Sequence, residues 1–89
     1  MAERIRILYL CTGNSCRSQM AEAFTNTLRG NEFEALSAGI APKGVDARAI
    51  RAMAEAGIDI SAQRSKDSTE FIGLEFDYVI TLCDSAREA

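Results

Sequence analysis

The apolar run Ile5-Arg6-Ile7-Leu8-Tyr9-Leu10 empties without a spacer into Cys11-Thr12-Gly13-Asn14-Ser15-Cys16-Arg17-Ser18. A buried strand that passes through a short loop into a helix turns successive backbone N–H groups toward one point, and such a concavity binds tetrahedral oxyanions. Cys11 falls at its floor. The helix N-terminus, the converging amides and Arg17 all favour a thiolate there over a thiol, which is what a cysteine nucleophile needs. Arg17 offers a planar fork for two oxygens of an anion, and Ser18 a hydroxyl donor for the sulfur. Thr12, Gly13, Asn14, Ser15 and Cys16 supply the curled wall, with Gly13 permitting positive φ and Asn14 tolerant of the left-handed region. A lone cysteine after a strand is usually a small buried apolar residue. Here the strand before, the helix after and the Gly-Asn-Ser filling give the motif the context that its mechanism requires.

The remaining pattern predicts an α/β chain. Ile5 to Leu10 reads as a strand buried on both faces, as in parallel sheets. Ser18 to Arg29 forms a helix with Met20, Phe24, Thr27 and Leu28 on its inner face and Gly30 as its stop. Phe33 to Ala38 is a second strand. Asp46 caps a helix from Ala47 to Ala56, which has Ile50, Met53 and Ala54 as its inner stripe and Gly57 as terminator. Asp67-Ser68-Thr69-Glu70 has the spacing of a capping box for a short turn that ends near Gly73. Asp77 to Leu82 is a third strand, and Asp84 begins another helix. Strands alternating with helices, joined by right-handed crossovers, give a parallel sheet with flanking helices in the order 2-1-3. Ligands of such sheets bind at the carboxyl ends of the strands beside the switch point, where Cys11 falls and where strand three ends near Cys83.

Composition narrows the chemistry. The chain has 89 residues, three cysteines and no histidine, so histidine-based triads and phosphohistidine intermediates are excluded and thiols, carboxylates and arginine remain. An odd cysteine count without a short-loop framework predicts reactive thiols in a reducing compartment, and the expected location is the cytoplasm. A net charge of −3 gives no basic footprint for nucleic acid, and no apolar run approaches a membrane span. A single domain over residues 1–89 is expected, without cofactor or metal. The third strand, apolar and without a fourth beside it, is expected to be an edge that can template self-association.

Residues 8 to 24, LYLCTGNSCRSQMAEAF, resemble the phosphate loop of the low-molecular-weight protein tyrosine phosphatase superfamily, and within it the thioredoxin-coupled arsenate reductases. The likeness continues through Ser37-Ala38-Gly39-Ile40, Gly57-Ile58-Asp59-Ile60-Ser61 and Val79-Ile80-Thr81-Leu82-Cys83. Gln19 is similar to the reductases where the phosphatases commonly carry proline, and Cys83 matches their second redox cysteine. On this resemblance the chain reads as the N-terminal portion of a reductase, without the fourth strand, the last helix, the Asp-Pro loop that carries the general acid, and the third cysteine. The resemblance implies that Cys11 attacks arsenate, that the loop amides and Arg17 neutralise the oxyanion, and that Cys83 resolves the adduct with release of arsenite and formation of a disulfide. Thioredoxin or another thiol reductant is then the implied partner, and arsenate or phosphate the implied ligand.

Other readings stay open. Phosphomonoester hydrolysis by Cys11 is the second, as in the phosphatase branch. A thiol phosphocarrier or anion-binding module, similar to the IIB components of sugar phosphotransferase systems, is the third, although those carriers lack the arginine of Cys-x5-Arg. Cys16 reads as packing against the first helix. Asn14, Glu22 and Ser37 match positions that in some reductases hold a potassium ion, but the completing carboxylate falls near Lys66. Its ammonium is expected to replace the cation, or else to be a solvated surface charge. Arg48, Arg51 and Arg64 read as surface charges.

Overall fold

The computed structural model describes residues 4–82. Cys83 and the helix expected from Asp84 lie outside the described residues. In chain order the elements are β1 (Ile5–Cys11), α1 (Arg17–Arg29), β2 (Phe33–Gly39), α2 (Ala47–Glu55), a 3-10 turn (Ser68–Phe71) and β3 (Tyr78–Thr81). The three strands form one parallel sheet in the order β2-β1-β3. Register runs from Ile5 opposite Phe33 to Cys11 opposite Gly39, and on the other side from Ile7 opposite Tyr78 to Leu10 opposite Thr81. Cys11 therefore sits at the carboxyl end of the central strand.

The core is small. Met53 and Ala49 of α2 pack with Ala23 of α1 and with Ile60, and Cys16, Met20, Val45, Ile50 and Ile58 border them. Asp46 caps α2 as its spacing predicts, accepting from the Arg48 N–H at 2.7 Å. Gly57, at φ +83°, closes the helix with Ile58 N–H returning to Met53 O. Ala54, placed in the inner stripe by periodicity, is exposed, and Ala49 takes the inward place. Asp67 caps the 3-10 turn through Thr69, but Glu70 pairs with Arg64 instead of closing the box.

Two expectations about apolar faces are corrected. The inner face of α1 is partly polar: Ser18 and Gln19 are buried along with Ala23, whereas Phe24 and Leu28 are 38% and 69% exposed. Thr27 is exposed as well, and Met20 alone of the expected stripe borders the core. The reason is hydrogen bonding. Asn26 pairs both backbone groups of Ala35 along β2, Glu22 accepts from Ser37, and Gln19 pins the loop that follows β1. The second correction concerns β1, which is only partly buried, with Ile5 exposed. Gly30 stands at the end of α1 as expected, as its C-cap, with a φ of −61°.

Candidate active site

Between β1 and α1 the chain forms a bowl whose carbonyls all face away from it. Segment 40–46 runs beside the loop and takes them in turn: Ile40 N–H donates to Cys11 O, Ala41 to Thr12 O, Lys43 to Gly13 O and Asp46 to Ser15 O, at 2.7–3.1 Å. Ser65 Oγ donates to the carbonyls of Gly13 and Asn14, the Gln19 amide also donates to Asn14 O, and Cys16 O accepts from Met20 N–H inside α1. With every carbonyl from Cys11 to Cys16 engaged outside, the amides are left for the interior. Those of Gly13, Ser15 and Cys16 find no acceptor among the described residues. Cys16 is the N-cap of α1 and makes no side-chain cap bond, so it does not cover the first-turn amides. Such an array of N–H groups at a helix start attracts anions.

Cys11 is buried at the floor. Its Sγ accepts from the Asn14 N–H at 2.9 Å and lies 2.9 Å from Ser18 Oγ. Because Ser18 Oγ already accepts from the Asn14 side-chain amide at 2.9 Å, its own proton is free to point at the sulfur. Asn14 occupies the left-handed region at φ +48° and is fully buried. Its Oδ1 accepts from Lys66 N–H at 2.7 Å and from Gln19 Nε2 at 2.9 Å. Gln19 in turn receives Gln63 Nε2 on its Oε1 at 2.6 Å. No buried side-chain nitrogen or oxygen among the described residues lacks a partner, so this polar network is complete and rigidifies the bowl.

The two glycines here differ in what requires them. Gly13 is not in the left-handed region, and a Cβ on it would meet only the flexible, exposed Lys43 stem, 2.5 Å from its Cε, which can move aside. A Cβ on Gly39 would strike the Thr12 carbonyl and Asn14 N–H at 2.7 and 2.9 Å, so only glycine lets β2 pass beneath the loop. Cys11, Thr12, Gly13, Ser15, Cys16, Arg17 and Lys43 line one cleft of about 250 Å³. The side chains of Arg17 and Lys43 have no ionic or hydrogen-bonded partner among the described residues.

The structure thus brings together Cys11 to Ser18 and leaves only Cys83 of the sequence-derived site outside the described residues. Cys16 borders the core and also lines the cleft. Behind the loop, Lys66 Nζ lies 3.5 Å from Glu22 Oε1, with both side chains nearly buried, and donates to Arg64 O at 3.0 Å. Ser37 Oγ donates to the same Glu22 oxygen at 2.6 Å. An ammonium therefore already neutralises this carboxylate, the residues do not fit an added metal ion, and the alternative of a solvated lysine is overturned. Sequence reasoning missed Lys43, Gln63 and Ser65. Lys43 carried one usable signal, its position just after the carboxyl end of β2, the end at which Cys11 lies.

The profile of the low molecular weight phosphotyrosine protein phosphatase family matches residues 6–89. An arsenate reductase of Brevibacillus brevis is 49% identical over 86 residues, spanning 97% of this chain and 64% of that protein. A solved arsenate reductase in a phosphate-binding state superimposes with a TM-score of 0.83 at 42% identity, over 89% of this chain and 60% of that one. The low molecular weight protein tyrosine phosphatase of T. tengcongensis gives 0.78 at 34%, over 94% and 62%. The chain thus spans less than two thirds of the length of each of these proteins.

Proposed function

The chain belongs to the low molecular weight phosphotyrosine protein phosphatase family, and on that premise we propose that it carries the oxyanion-binding and nucleophilic half of an arsenate reductase. One observation carries the reading: a bowl whose carbonyls from Cys11 to Cys16 are all bonded outward, with the Cys11 sulfur at its floor and Arg17 at its rim. Arsenate enters as an oxyanion and its charge is met by the inward amides and the Arg17 fork. Cys11 attacks arsenic and forms an S–As bond as one oxygen leaves as water. Ser18 and the Asn14 N–H stabilise the sulfur before attack. Cys83 then attacks the Cys11 sulfur, a disulfide forms, and the electron pair of the broken S–As bond stays on arsenic, which departs as arsenite. Two thiols are oxidised and arsenic(V) becomes arsenic(III). An external dithiol such as thioredoxin returns the protein to its reduced form.

The reading is tested by incubating the reduced chain with arsenate. The expected product is two protons lighter and yields a Cys11–Cys83 crosslinked peptide, and Cys83→Ser abolishes it. A Cys83→Ser protein that consumes arsenate as fast as the parent would remove Cys83 from the mechanism. Similarity to the T. tengcongensis phosphatase supports a second reading, phosphomonoester hydrolysis through a Cys11 phosphoenzyme. Hydrolysis of phenyl phosphate that persists in Cys83→Ser, without any arsenate-driven disulfide in the parent, would favour it.

A further inference from the structure

Lys43 belongs to no motif in the chain, yet it takes part in the cleft twice. Its N–H donates to Gly13 O, fixing the backbone of segment 40–46 against the loop, and its methylene stem lies beside Gly13, with Cε 2.5 Å from where a Cβ on Gly13 would stand. Its ammonium has no partner among the described residues, and neither has the Arg17 guanidinium on the same cleft. No carboxylate among the described residues lines that cleft, although the chain as a whole carries a net charge of −3. Two unpaired cations on one small concavity in an acidic protein focus the local field on an incoming anion. Arg17 and the loop amides accommodate one anionic face; a second cation lining the same cleft matches a ligand that carries more than one negative charge on a compact body. The stem, packed beside Gly13, occupies part of the flank of that cleft.

We propose that Lys43 is a specificity-determining residue that selects compact, multiply charged inorganic oxyanions over bulky phosphoesters. Its charge binds the anion, and its stem narrows the approach. The proposal rests on the oxyanion-loop reading of Cys11, and the two can fail separately.

The probes are inorganic phosphate and phenyl phosphate, each titrated as a protectant of Cys11 against iodoacetamide at two salt concentrations. Lys43→Met keeps the stem and removes the charge; it is expected to weaken phosphate protection about tenfold, the worth of a charged hydrogen bond of about 1.4 kcal/mol, and to flatten its salt dependence. Lys43→Arg restores most of both. Lys43→Ala also opens the flank, so the preference for phosphate over phenyl phosphate is expected to fall further than in Lys43→Met. A parent protein unprotected by either ligand would overturn the oxyanion-loop reading and this proposal with it. A parent protected by phosphate whose Lys43→Met variant is protected equally well, with the same salt dependence, would overturn the role of Lys43 alone.

Discussion

Ser18 Oγ sits between two groups that both need it, accepting from the Asn14 amide and facing the Cys11 sulfur. Ser18→Ala strands a fully buried amide hydrogen, and leaving such a donor unpaired costs about 1–3 kcal/mol. Urea denaturation is expected to register that loss, while a change below about 0.5 kcal/mol would mean that Asn14 had found another acceptor. Cys11, Asn14, Arg17 and Ser18 were legible in the sequence because they are neighbours along it. Gln63 and Ser65 were not legible as parts of the bowl, since they reach Gln19 and Asn14 across separations of 44 and 51 residues, and Lys66 was placed behind the loop only by the family resemblance. A local pattern has no means of announcing such partners. Gly13 was legible as a loop glycine, but it does not use the positive φ that it permits, and only the movable Lys43 stem stands where a Cβ would be.

Helix α2 is the element that holds the small core together, and its inward residue Met53 is fully buried. Met53→Ala is expected to destabilise the protein by about 2–5 kcal/mol, read from the urea midpoint, because the cavity is lined by few residues able to collapse into it. The cap of the same helix is pH-sensitive. The Arg48 side chain, then its backbone N–H, bonds to Asp46 and lowers that carboxyl from its ordinary 3.8 to about 2. The cap is therefore fully effective above about pH 4 and is lost as pH falls through about 2, where carboxylate protonation removes the acceptor. Amide exchange of α2 is expected to accelerate in that window in the parent and at every pH in Asp46→Ala. This helix was legible from its cap and terminator. The face of α1 was not, because the apolar-stripe rule assumes that helices pack by hydrophobic burial, and α1 meets β2 through Glu22 and Asn26 and the loop after β1 through Gln19.

Over the whole molecule, the order β2-β1-β3 followed from alternating elements and crossover handedness. The apolar exposure it leaves is considerable: Tyr78, Val79 and Ile80 of β3 are all exposed, and Phe24 and Leu28 border a groove with Ile7, Tyr9 and Phe33. Paired residues of parallel strands share a face, so Tyr78 and Ile80 extend the Ile7 and Tyr9 side of this groove. Among the described residues β3 is an edge strand, and an apolar edge without lysine or proline invites pairing. We expect the 89-residue polypeptide to self-associate in sedimentation at micromolar concentration, with Val79→Lys shifting it toward monomer; a parent that sediments as monomer at all concentrations would contradict this.

The central claim is that the loop from Cys11 to Ser18 is an oxyanion bowl with a nucleophilic sulfur at its floor. Its most direct test is iodoacetamide labelling of the reduced chain, mapped by peptide to Cys11, Cys16 and Cys83, with and without arsenate or phosphate. The account predicts that Cys11 is labelled first and that either oxyanion slows its labelling in a saturable way. Faster labelling of Cys83 or Cys16, or a Cys11 rate indifferent to both oxyanions, would contradict it.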